Sequence, residues 1–210
     1  DISNESFKWL SMQEIPIGFC PKVRAMRVNF VGSLGWELHH PIEYQLQLFE
    51  ALQEAGAEFE IKNVGMRAMD SMRLEKSYRL WGTDLNAENS ALEANLQRFI
   101  KLNKGEFTGR QALVEQQEQG VPNKFCTIEI EANDADSFGN EPIIIDGKVV
   151  GRGTSGGYGH FIRKSLMLGY IESDHASIGQ ECQVRLLDKL LPAKIIAESP
   201  YDPENIALKA

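Results

Sequence analysis

Three stretches of the 210-residue chain hold residue types that could do chemistry. In Phe30-Val31-Gly32-Ser33-Leu34-Gly35-Trp36-Glu37-Leu38 the glycines permit a sharp bend, and in a following strand Trp36 and Glu37 would point to opposite sides. A carboxylate held beside an aromatic surface can accept paired hydrogen bonds from the N–H groups of a flat nitrogen heterocycle. Taken alone, such an acid more often faces solvent. In Asp70-Ser71-Met72-Arg73-Leu74-Glu75-Lys76, Asp70 and Arg73 stand three apart and can pair across one helical turn, ordinarily a weak surface contact. Trp81-Gly82-Thr83-Asp84-Leu85 follows as a loop with an aromatic, a glycine and an acid. The third stretch, Gly151 to His160, is dense in glycine but lacks GxxxxGK and a following helix, so it fails as a phosphate-binding motif. It is expected to be a turn or bulged strand with Tyr158 and His160 at a barrel edge. No base and nucleophile pair forms around His160, and no catalytic residue is assigned.

The elements that must carry these residues follow from periodicity. Lys22 to Leu38 predicts strand, tight glycine turn, strand. Pro41 then opens a helix in which Ile42, Leu46, Phe49 and Leu52 recur at helical spacing until Gly56. Asn63 is a plausible cap for a second helix, with Met66, Met69 and Met72 as core filler. Ala91–Ile100 and Gly109–Gln119 predict further short helices, and Gly120 with Pro122 marks a boundary. Beyond it come β-type runs at Phe125–Ile130, Ile143–Ile145, Val149–Val150, Leu166–Ile171 and Gln183–Leu187. Asp146-Gly147 is the strongest hairpin signal, since a type I′ turn needs positive φ at both central residues. Two parts are expected, 1–121 mixed α and β, and 122–210 a small antiparallel barrel or jelly-roll-like unit.

Composition bounds the partners. Hydrophobic and charged fractions of 42% and 25% are those of a globular protein, and a net charge of −8 opposes nucleic acid or anionic membrane. No apolar run approaches the ~18 residues of a membrane span. Cys20, Cys126 and Cys182 are widely spaced and odd in number, which fits reduced thiols in a reducing compartment better than a disulfide framework. The four histidines lack metal-ligand spacing, so no metal is expected.

Taken in order, these stretches resemble the aminomethyltransferase family, which includes the glycine-cleavage T-protein and the folate domains of dimethylglycine and sarcosine dehydrogenases. Val28–Leu38 looks like its folate-site turn, and Asp70–Lys76 with Trp81–Leu85 like its helix and loop. Ala91-Leu92-Glu93-Ala94-Asn95-Leu96, Phe107-Thr108-Gly109-Arg110-Gln111-Ala112-Leu113 and Ser155–Tyr170 are close to its wording. Glu75-Lys76 with Trp81–Leu85, and the ending Ser199–Asn205, are most similar to the dehydrogenase-fused branch.

The resemblance implies an α+β fold: the C-terminal half of a folate-binding aminomethyltransferase domain followed by the barrel. It implies tetrahydrofolate-dependent transfer of a methylene or methyl group from a small methylated amine or aminomethyl donor, with FAD only in an upstream domain if there is one. Glu37, as the family's pterin-contacting acid, leads the implied folate-binding residues, with Phe30, Trp36, Arg73 and Tyr158. Departures remove polar handles: Phe30 stands where the family often has Tyr, Ser33 where it has an acid, and Met69 where T-proteins have Arg. A binding module without turnover and a purely structural domain are the alternatives. The chain begins in mid-family sequence, so a fragment is expected, inactive alone. An apolar face should be left bare, to be covered by self-association if at all. A cytoplasmic setting is expected, or the mitochondrial matrix in a eukaryote.

Overall fold

The computed structural model describes residues 1–210, which form two compact units: residues 1–69 with 202–210, and residues 70–201. In the first unit, β1 (Met12–Ile17), β2 (Cys20–Met26) and β3 (Glu37–His39) pair antiparallel in sequence order. A 3₁₀ turn at Ile42–Tyr44 leads into α1 (Gln45–Gly56). Alternation along the strands turns Ile17, Val23 and Leu38 to one side, the register shift between Ile15 and Ile17 brings Cys20 to it as well, and there they pack with Tyr44, Leu48 and Leu52.

The helix expected after Pro41 is there, but its packed face differs from expectation. Ile42, Leu46 and Phe49 are exposed, and Leu48 is the buried residue. The apolar stripe is broader than the three-stranded sheet can cover, and it is the Tyr44–Leu48–Leu52 edge that meets the sheet. The expected tight turn before Glu37 is instead a long loop, residues 27–36, because β2 stops at Met26. Asn29 closes it: its Oδ1 accepts from Val31 N at 3.0 Å and Gly32 N at 2.7 Å, while its Nδ2 donates to Ser33 O.

α2 runs Met66–Glu75. Asn63 does not cap it, since its Oδ1 accepts from Gln53 Nε2 at 3.2 Å and Gly65 O takes the first backbone bonds. Nor are its methionines core filler, because Met66 is exposed and the buried residues are Arg73, Leu74 and Glu75. Ala91–Ile100 forms no helix beyond single turns. Ser90 and Glu93 make reciprocal side-chain bonds at 3.2 and 2.8 Å, as at a helix start. Asn95 then turns left-handed (φ 55) and sends its amide to Phe125 O at 2.8 Å, which ends the run.

α3 (Arg110–Gln119) lies between Gly109 and Gly120, both at positive φ. After Pro122 the second unit closes a barrel from β4 (Asn123–Ile130), β5 (Pro142–Ile145), β6 (Lys148–Gly159), β7 (Lys164–Glu172), β8 (Glu181–Leu186) and β9 (Lys189–Ile196), in spatial order β4-β7-β6-β5-β8-β9. The Asp146-Gly147 hairpin forms as expected, at φ 49 and 75. The glycine-rich run is a strand, bulged between Gly153 and Ser155. There Gly153 faces Gly169 across the β6–β7 pair. A Cβ on Gly169 would lie 2.9 Å from Gly153 Cα, so the strands can meet only without side chains. β1 and β9 were not expected.

Barrel strand β7 is buried on both faces. Met167 and Ile171 point into the barrel with Ile128, Ile143 and Val184, while Leu166, Leu168 and Tyr170 point outward against Leu74, Ala94 and Phe125. Burial pushes the core thiols up, Cys126 to about 12 and Cys182 to about 11, and the Tyr170 phenol to about 12. The C-terminal residues return to the first unit as α4 (Ile206–Lys209), whose N–H groups at Ile206, Ala207 and Leu208 donate to the Asp202 carboxylate.

Candidate functional site

Glu37 opens β3, and the strand's alternation sends it and His39 to the sheet face opposite α1. Register supplies the neighbours. Met26 stands directly opposite Glu37 and Met12 opposite Met26, so one row across the sheet reads Met12, Met26, Glu37. The adjacent row reads Glu14, Arg24, His39, with Arg24 Nε 3.3 Å from Glu14 Oε1. The Glu37 side chain is 50% exposed, and its one ion-pair contact is His39 Nε2 at 3.5 Å. A carboxylate with most of its acceptor sites free thus stands opposite one thioether side chain, Met26, with a second, Met12, one strand further along the row; thioethers are soft and adjust to a flat apolar surface.

Trp36 leaves the strand on the other side. Its ring meets Phe7 edge-on, centroids 6.2 Å apart, and the Arg27 guanidinium lies 5.7 Å from its centroid. Its buried Nε1 has no hydrogen-bond acceptor. Phe30 is half-buried in the loop that Asn29 closes. The first unit therefore brings Phe30, Trp36 and Glu37 onto one loop and strand start. Met12, Met26 and His39 complete the face, and spacing could not find them because β1 carries no strong signal and register is a tertiary property.

Arg73 and Tyr158 belong to the second unit. Arg73 is 1% exposed, and its guanidinium reaches Asp70 Oδ1 and Asp84 Oδ2, both at 2.6 Å, and Tyr78 O at 3.1 Å. Of the pair expected at the surface, Arg73 is buried and Asp70 stays 47% exposed. Asp84, 0% exposed, also accepts from Leu80 N at 2.8 Å, Ser155 Oγ at 2.7 Å and Thr154 Oγ1. Glu75 Oε1 accepts from Phe161 N at 2.7 Å and Ile162 N at 3.0 Å, and Ser71 Oγ donates to Tyr158 O at 2.5 Å. The charged helix, the Trp81–Leu85 loop and the glycine-rich strand form one polar lock. Tyr158 is 37% exposed, its ring edge-on to His160 at 5.1 Å. An open groove on the barrel is bordered by Glu129, Glu131, Asp146, Glu181 and Lys194, and none of the sequence candidates lines it. No His, Cys, Asp and Glu cluster has metal-binding geometry, and no helix is long and apolar enough to cross a membrane.

Comparison with known proteins bears on the sequence and the fold. The GCVT N-terminal domain matches residues 1–104, and the glycine cleavage T-protein C-terminal barrel domain matches residues 123–202. Dimethylglycine dehydrogenase of Rattus norvegicus, a mitochondrial protein by its name, is 41% identical over 94% of this chain and 23% of its own length. Sarcosine dehydrogenase of Mus musculus is 35% identical over 100% of this chain and 23% of its own. An aminomethyltransferase of Thermoanaerobacter pseudethanolicus is 32% identical over 83% of this chain and 47% of its own. The crystal structure of the glycine cleavage system aminomethyltransferase T from Bartonella henselae superposes with a TM-score of 0.83, at 21% identity, over 92% of this chain and 53% of that one. The chain thus spans about a quarter of the length of the first curated relatives it matches, 23%.

Proposed function

Because the chain belongs to the glycine cleavage T-protein (aminomethyltransferase) family, we propose that it forms part of the folate site of a one-carbon-transfer enzyme. The observation that carries this reading is the half-exposed Glu37 carboxylate, whose acceptor sites are largely free at the end of a row that runs through Met26 to Met12. A carboxylate so placed fits the N–H edge of a pterin. Glu37 would accept those hydrogen bonds, the two methionines would contact the ring, and Trp36 with Phe30 would hold the strand start. Tetrahydrofolate, as acceptor substrate, supplies the amine nitrogen that takes up the one-carbon unit. This chain's share is to orient that substrate.

Arg73 and Tyr158, which belong to the second unit, are carried in the proposal on the family resemblance alone; Arg73, bonded to Asp70, Asp84 and Tyr78 O, would act only by holding its own unit together. The donor is a small methylated amine or an aminomethyl carrier, as the names of the relatives suggest, and those names also suggest a mitochondrial setting. A division of the chain near Pro122 into 1–121 and 122–210 is part of the proposal, supported by the extents of the two family matches.

Calorimetric titration of tetrahydrofolate into the protein and into Glu37→Gln tests the reading. A charged hydrogen bond contributes about 1.5–3 kcal/mol, so affinity should fall by roughly ten- to a hundred-fold with the fold intact. Equal affinities would remove Glu37 from the site.

A further inference from the structure

Arg27 is the first residue after β2 and is 2% exposed, yet no Asp or Glu side chain pairs with it. Its guanidinium donates to main-chain oxygens: Nη1 to Phe7 O at 2.6 Å, and Nη2 to Lys209 O at 3.4 Å and to an oxygen of Ala210, the last residue described, at 3.1 Å. Its Nε, like Trp36 Nε1, has no acceptor. The same group sits 5.7 Å from the Trp36 ring centroid, and Trp36 is followed at once by Glu37. One planar fork therefore touches the start of the 27–36 loop, its end, the N-terminal turn and the end of α4.

Filling space does not call for a guanidinium. Burying a guanidinium is costly even when it is hydrogen-bonded, and an apolar side chain of similar volume would pack without that penalty. What the fork adds is direction, because its donors are fixed in one plane and hold several acceptors at set angles. The acceptors are themselves held. Asp202 fastens the first turn of α4, Leu208 is buried, and Lys209 Nζ lies 5.1 Å from the Trp9 ring centroid.

We propose that Arg27 is a positioning residue for the Glu37 face: it fixes Trp36, and with it the direction in which Glu37 leaves the sheet, against the carbonyls of Phe7 and the α4 end. This rests on the reading that Glu37 receives the pterin. It makes the C-terminal residues, far away in sequence, part of the support of the folate face.

A double-mutant cycle on the intact protein tests it, with tetrahydrofolate affinity measured for wild type, Arg27→Lys, Glu37→Gln and the double variant. Lysine keeps the charge but not the fork, so Arg27→Lys should bind roughly ten-fold more weakly, about 1.4 kcal/mol. In the Glu37→Gln background the same change should cost less than about two-fold, since the contact it positions is already lost. Ten-fold losses in both backgrounds, or none in either, overturn the proposal. Should Arg27→Lys not fold, Asp202→Asn loosens α4 instead and should show the same non-additivity at smaller amplitude. Hydrogen exchange separates the two readings. If the wild type binds no tetrahydrofolate, the folate reading fails, while faster exchange of the 28–38 amides in Arg27→Lys still supports the positioning role and unchanged exchange sinks it.

Discussion

Glu37 and Asp84 are acids in similar sequence surroundings, each within three residues of a glycine and a tryptophan, and they meet opposite fates. Asp84 is 0% exposed, and Arg73, Leu80, Thr154 and Ser155 use its acceptor capacity in full. Glu37 is half exposed, with a single ion-pair contact, at 3.5 Å. A carboxylate whose lone pairs are all occupied holds a fold together. One whose lone pairs are unspent can receive a ligand. The surroundings match the roles, since Asp84 lies where helix, loop and barrel strand converge, and Glu37 lies on a sheet face with no second layer within its unit.

The comparison breaks most visibly if Asp84 is dispensable. Asp84→Ala leaves the buried Arg73 guanidinium with only Asp70 and a carbonyl, and it should destabilise the second unit by about 3–5 kcal/mol in denaturant unfolding. A loss below about 1 kcal/mol would class the network with ordinary surface pairs.

The glycine-rich part of the lock should follow. Gly169→Ala places a methyl against the backbone of Arg152 and Gly153, which cannot swing aside, and should cost about 1–3 kcal/mol by thermal unfolding. A neutral result would mean the β6–β7 pair can spread.

A smaller effect sharpens the contrast through pH. Cys126 is raised from 9.0 to about 12 and Cys182 from 9.0 to about 11, both chiefly by burial, so the folded barrel keeps protons that the unfolded chain releases. Their contribution is complete well below pH 9 and is lost as pH climbs through 9 toward 12, on the order of 1 kcal/mol for each thiol by about pH 10. Cys126→Ala should flatten this alkaline limb in a stability titration. A limb of unchanged slope would assign it to other groups.

Smallest of all should be the effect of Glu37→Gln on stability, within about 0.5 kcal/mol by chemical denaturation, since its side chain is half exposed. A loss above 1.5 kcal/mol would make Glu37 a structural residue like Asp84.

Where neighbours in sequence decide the outcome, the sequence suffices. Asp146-Gly147 makes its turn because two positive φ values are a local requirement, α3 stops at a glycine, and the alternating apolar runs of β4 and β7 become barrel strands. The order of the motifs likewise identifies the family. Tertiary structure decided the rest. The face of α1 that packs depends on the width of the sheet beneath it, and Asn95 ends a promising helix only because Phe125 offers its carbonyl. The composition of the Glu37 face depends on register, which sets Met26 opposite, and Met12 in the same row as, an acid that follows them in sequence. Arg73 reads as half of an exposed pair because spacing along one helix says nothing of Asp84, and its solvent exclusion belongs to the assembled lock rather than to any segment of it.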